Sequence, residues 1–125
     1  MRLTNSFFII ESIQDTEGGF EAVLRTNPKH PIYKAHFPRN PITPGVCIIQ
    51  AAGELLERKL GRKLYLKTVK NVKFLSVIIP EEGKKIKYSF SNIIKDESSV
   101  KAQVLVSDDT SVYAKISLIF SNERL

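Results

Sequence analysis

The side chains able to move protons are few, and they crowd into one stretch. The 125-residue chain holds two histidines and one cysteine. His36 opens the run His36-Phe37-Pro38-Arg39-Asn40-Pro41-Ile42-Thr43-Pro44-Gly45-Val46-Cys47, and Gln50 and Glu54 follow it. An imidazole titrates near neutral pH and suits removal of a proton next to a carbonyl. The enolate formed by such a step needs fixed donors, and the unbonded N–H groups at a helix N-terminus can supply them. Gln50 can donate a hydrogen bond but cannot transfer a proton in that pH range. Glu54 carries a carboxyl one helical turn later, on the same face and about 6 Å along the axis. Each residue also has a plainer reading. His36 could be a core histidine satisfied by its neighbours, Gln50 a buried amide bonded to backbone, and Glu54 the start of a solvated helix end. His30, before Pro31, reads as a surface residue. Cys47, flanked by Val46 and Ile48, reads as an inert buried thiol.

The elements that must hold these residues follow from pattern. Residues 6–13 are rich in Phe and Ile, residues 15–19 read as a turn, and residues 20–26 alternate as a half-buried strand. Five of the six prolines fall between Asn27 and Pro44, which forbids a continuous helix or a central strand and predicts an ordered loop. A helix follows, with Thr43 as N-cap, Pro44 in its first turn and Gly61 just past its end. Apolar and small residues surround its first half, so it reads as enclosed for two to three turns and polar only from Glu54 and Glu57 onward. Four more β-like stretches cover residues 65–79, 85–90, 100–107 and 112–120. Strands around one buried helix predict an α+β domain spanning residues 1–125. An antiparallel sheet curled around one long central helix is the hotdog fold.

Composition excludes several classes. Hydrophobic residues at 42% and charged residues at 26% are ordinary for a globular chain, so global disorder is excluded. The apolar run from Phe7 to Ile10 is too short for a signal-peptide core or a membrane span. One cysteine cannot form an internal disulfide, which makes a reducing, cytoplasmic setting the expectation. No ligand cluster or phosphate-binding glycine pattern calls for a metal or an organic cofactor. The net charge of +6 leaves nucleic acid as a formal rival, but no helix-turn-helix, zinc spacing or RNA-binding aromatic signature supports it.

The run from His36 to Gln50 resembles the active-site segment of 3-hydroxyacyl-(acyl-carrier-protein) dehydratases of the FabZ/FabA type. That family's pattern is His-Phe-Pro, two residues, Pro, two residues, Pro-Gly-Val, and a carboxylate fourteen positions after the histidine. Every proline, the histidine, Phe37, Gly45 and Val46 fall in register. Phe74 and Pro80 echo a second family segment. The resemblance implies that His36 removes the C2 proton of a 3-hydroxyacyl thioester, while the amide of Gly45 and one near His36 polarise the thioester carbonyl. It also implies a substrate tunnel bordered by Phe37, Pro38, Pro44 and Val46, and an active site shared across a dimer. Acyl carrier protein is the implied partner, met by basic residues such as Arg58, Arg62, Lys63 and Lys67. The departure is Gln50, which stands where the family has its acid; losing general-acid help costs roughly 10²–10⁴ in rate. The family's Glu-x-x-x-Gln order is here Gln-x-x-x-Glu, which leaves Glu54 as an alternative acid. Ala35 and Arg39 replace glycines of the family. Three functions follow: a dehydratase, an impaired acyl-binding subunit of a heterodimer, or an acyl-CoA thioesterase using Glu54. Neither membrane nor nucleic acid is an expected partner.

Overall fold

Alternation of apolar and polar residues builds the sheet. The computed structural model describes residues 2–35 and 38–123. Along the chain run β1 (Phe8–Thr16), β2 (Gly19–Thr26), α1 (Pro31–Ala35), α2 (Gly45–Leu60), β3 (Tyr65–Phe74), β4 (Lys85–Lys95), β5 (Ser99–Ser107) and β6 (Val112–Ser121). The strands form one sheet in the order β1-β2-β4-β5-β6-β3, with every pairing antiparallel. Phe20, Ala22 and Leu24 of β2, Ile86, Tyr88 and Phe90 of β4, and Val100, Val104 and Val106 of β5 point to one face. They share a single core with Cys47, Ile48, Ala51, Ala52, Leu55 and Leu56 of α2. Burying each large side chain contributes about 1.5–3 kcal/mol, so this helix–sheet contact is the main adhesive of the fold. Phe20 stacks on its cross-strand partner Phe90 with centroids 4.3 Å apart. The Tyr88 hydroxyl donates to the Ile48 carbonyl at 3.0 Å, pinning the middle of the sheet to the helix.

Backbone constraints explain the element ends. A Cβ on Gly19 would lie 2.0 Å from the Phe90 carbonyl oxygen, so only glycine lets β2 approach β4 there. Gly61 closes α2 at φ 66°, its amide donating to the Glu57 carbonyl. The 65–79 stretch divides at Phe74, because the amides of Leu75 and Ser76 both turn to the Tyr113 carbonyl and the chain leaves the sheet. β4 continues past Phe90 to Lys95 through an irregularity between Ser91 and Ile94, with Asn92 at φ 49°.

Several expectations need correction. β1 runs through Thr16, past the point where the turn was expected to begin. The Pro-rich segment is not wholly loop, since α1 occupies Pro31–Ala35. Proline suits the first helical position, where its missing N–H costs nothing, and the Ile32 amide finds the Nδ1 of His30 at 3.2 Å. His30 is therefore half-buried, its ring edge-on to Phe7 at 5.2 Å, and not a surface residue. The N-cap of α2 is Pro44, with no side-chain cap, because the Thr43 hydroxyl is engaged elsewhere. The helix is also not enclosed on all sides: Val46 is 71% exposed, and Gln50 is exposed too.

Candidate functional site

The N-terminus of α2 is open by construction. Cys47 and Ile48 make the first turn's bonds, both donating to the Pro44 carbonyl, which leaves the Gly45 and Val46 amides ahead of the helical ladder. Pro44 is extended at φ −63° and ψ 142°, so the chain enters the helix abruptly. Phe74, at the end of β3, covers this entry: a Cβ on Gly45 would sit 2.7 Å from its ring. Glycine at 45 thus lets an aromatic ring lie directly on the backbone that carries the amides. The sequence marked Phe74 only as an echo of a family pattern; its place over Gly45 needed the packing of β3 beside α2.

Val46 and Gln50 lie four apart on one face of α2, and both line a cavity of about 630 Å³. Ile49, Gly53, Leu64, Leu66 and Phe120 supply apolar walls, while Arg2, Glu54 and Lys63 bring charge to it. Pro38 and Pro44, assigned to a tunnel on sequence, are not among its lining residues. His36 and Phe37 lie outside the described residues.

Glu54 departs most from expectation. It is buried at 7% exposure rather than solvated. Its carboxylate accepts from the Leu3 amide at 2.9 and 3.0 Å, from the Thr4 amide at 2.9 Å, from the Thr4 hydroxyl at 2.8 Å, and from Gln50 Nε2 at 2.9 Å. The Arg2 guanidinium stands 3.6 Å away. Burial alone would raise its pKa, but the Thr4 and Leu3 amides, Gln50 and the Thr4 hydroxyl outweigh that and hold it below the usual range. A carboxylate so held is ionised at neutral pH and has no proton to give. Its geometry makes it an anchor for residues 2–4 and a fixed acceptor that orients the Gln50 amide. No local pattern could announce this, because the partners are about fifty positions away in the chain.

Cys47 is buried, and burial raises its thiol pKa, as its flanking residues suggested. Among the described residues no group of three or more His, Cys, Asp or Glu side chains could hold a metal ion, and no helix is long and apolar enough to cross a membrane.

Comparison with known proteins is decisive on kinship. Residues 12–115 match the family described as ApeI-like, ApeI dehydratase. The chain belongs to the ApeI-like dehydratase family. Among its relatives, the 3-hydroxyacyl-(acyl-carrier-protein) dehydratase FabZ of Brucella ovis is 33% identical, over 93% of this chain and 83% of that protein. The FabZ of Acetivibrio thermocellus is 29% identical, over 94% and 88%. The dehydratase heterocomplex ApeI:P from Xenorhabdus doucetiae shares the fold with a TM-score of 0.70 at 17% identity, covering 91% of this chain and 97% of that one. A hypothetical thioesterase with coenzyme A from Streptococcus pneumoniae TIGR4 does so at 0.63 and 10%, covering 91% and 84%. The hotdog architecture of this ApeI-like chain is therefore common to dehydratases and thioesterases, and the fold alone does not choose between them.

Proposed function

We propose that this chain works on 3-hydroxyacyl thioesters borne by acyl carrier protein, in the elimination of water to the trans-2-enoyl thioester. The observation that carries the reading is that Val46 and Gln50, four apart on α2, line an apolar-walled cavity next to the helix entry, where the Gly45 and Val46 amides stand ahead of the helical ladder. In this mechanism the imidazole of His36 takes the C2 proton. The Gly45 amide steadies the negative charge that develops on the thioester oxygen, as a fixed donor needing no reorganisation. The C3–O bond then breaks, and the departing hydroxide needs a proton. Gln50, held by Glu54, can donate a hydrogen bond to that oxygen, while the proton itself comes from water or from a carboxyl of a partner subunit. Glu54 is assigned no acid role, and for the same reason thioester hydrolysis through Glu54 is the weaker reading. Pro38, Pro44 and Phe37 would stiffen and border the approach to His36. No cofactor enters the scheme.

The incomplete acid favours a partner. β3 is an edge strand, and around it Leu66, Phe74, Leu75, Val77 and Ile79 are each at least 46% exposed. A row of apolar side chains beside unpaired backbone groups is a pairing surface. The strand carries Lys67, Lys70 and Lys73 and no acid. Two copies joined edge to edge would set like charges together, whereas an edge bearing carboxylates would meet them favourably. We therefore assign this edge to a dimer, with a related hotdog subunit that supplies the missing carboxyl as the preferred mate and a homodimer as the alternative. Acyl carrier protein, itself acidic, fits the basic surface around Arg58, Arg62 and Lys63, and such a pathway would run in the cytoplasm.

The test is turnover of a 3-hydroxyacyl-carrier protein by the purified chain, with and without a complete family member, following the enoyl product by mass spectrometry. Product formation that rises on mixing and disappears in His36→Ala supports the reading. Hydrolysis to free acid with no enoyl product overturns it.

A further inference from the structure

We propose that Tyr33 is a positioning residue for the segment that carries His36, closing that segment at its base through a hydrogen bond to Thr43. The inference rests on the dehydratase reading for its chemistry but on geometry for its substance. The Tyr33 and Thr43 hydroxyls lie 3.0 Å apart, both buried, at 3% and 6% exposure. Residues 34–42 lie between them, His36 included.

Each side of this closure is anchored separately. On the near side, the Tyr33 ring stacks on Phe7 at 4.8 Å, its amide donates to the His30 carbonyl, and Asn27 Nδ2 donates to the Ser6 carbonyl. On the far side, the Thr43 amide donates to the carbonyl of fully buried Ile78, and Pro44 starts α2. The near anchor thus belongs to the residues just before β1 and the far anchor to the entry of the helix bearing the Gly45 and Val46 amides. The Tyr33–Thr43 bond joins the two. Base and carbonyl-polarising donors must reach one thioester together, and misplacement by about 1 Å can cost roughly a hundredfold in rate. Burial pushes the tyrosine pKa up to about 12, so the hydroxyl stays neutral and the closure does not depend on pH across the working range. It also explains why Thr43 does not cap α2: its side chain is already committed.

The experiment compares Tyr33→Phe, Thr43→Val and the double variant in the active assembly. Read-outs are amide hydrogen exchange over residues 34–43, thermal midpoint, and kcat separately from KM. Tyr33→Phe should speed exchange in that segment about tenfold, the factor one net hydrogen bond confers, and leave the strands unchanged. kcat should fall about ten- to a hundredfold with KM little altered. The double variant leaves no orphaned hydroxyl, so its thermal midpoint should recover while exchange stays fast and kcat stays low. Unchanged exchange in Tyr33→Phe overturns the proposal, and so does a double variant that regains protection and kcat along with stability. If the assembly shows no turnover at all, the dehydratase reading fails, and the exchange data still decide the closure.

Discussion

Replacing Glu54 should unfasten the N-terminal segment from α2. In Glu54→Gln one carboxylate oxygen becomes the NH2 of a carboxamide, a donor that would face donors: the Leu3 amide, the Thr4 amide and Gln50 Nε2 all lie at 2.9 to 3.0 Å from the present oxygens. Hydrogen bonds to a charged acceptor contribute about 1.5–3 kcal/mol each, and the losses overlap because the donors share two oxygens. Leu3 is fully buried, so its amide cannot turn to water without exposing the side chain. A net loss of about 3 kcal/mol follows, a large share of the roughly 6–19 kcal/mol typical of a chain this long. In thermal terms that is on the order of 10 °C. The sign with pH follows from the depressed pKa of Glu54. Its stabilisation is fully present above the carboxyl's ordinary unfolded pKa and fades as pH falls through the lower folded value. Urea unfolding of wild type and Glu54→Gln at one fixed protein concentration, at pH 7 and at stepwise lower pH, measures both quantities. The gap should be widest at neutral pH and should close in acid. A variant within about 0.5 kcal/mol of wild type at pH 7, with residues 2–4 still resistant to protease, would refute the reasoning.

Other perturbations read other parts of the account. Gly45→Ala should displace Phe74 from the entry of α2, since the new Cβ would sit 2.7 Å from its ring; loss of activity with a fold intact by circular dichroism is the expected outcome. Tyr88→Phe removes the donor to the Ile48 carbonyl in a fully buried site and should lower stability by about 1–2 kcal/mol in urea unfolding, without changing which subunits associate. Replacing Lys70 and Lys73 by Glu should weaken association with an acidic-edged subunit and reverse its salt dependence, since salt then screens repulsion instead of attraction, as read by sedimentation-equilibrium masses at two ionic strengths.

The fold was legible because its signals are local. Phe20, Ala22 and Leu24 against Glu21, Val23 and Arg25 spell a half-buried strand, and Pro44 with Gly61 brackets the helix to within a residue. The spacing from His36 to Val46 was enough to reach the dehydratases. What escaped was set by contacts between distant segments. Glu54 looked like a solvated helix residue until Leu3 and Thr4 were laid against it, and Thr43 looked like a cap until Tyr33 claimed its hydroxyl. α1 escaped because a single turn has too few residues to show a period. The open face at Val46 and Gln50 escaped for another reason: apolar and small residues all round the first half of α2 do not say which of them the sheet covers.

The central claim is an intact dehydratase scaffold with an amide at its acid position. The most direct measurement is the rate of enoyl-thioester formation by the chain alone, comparing wild type, Gln50→Glu, and Gln50→Glu combined with Glu54→Gln. In the single variant the new carboxyl would face Glu54 at close range, and two such groups cannot both ionise easily, so one would hold a proton toward neutral pH. The combined variant would restore the order of acid and amide that the FabZ type carries. The account predicts a gain of about 10²–10⁴ in kcat for at least one of the two. Rates that stay at the wild-type level in both, with folded protein and His36 in place, would contradict it.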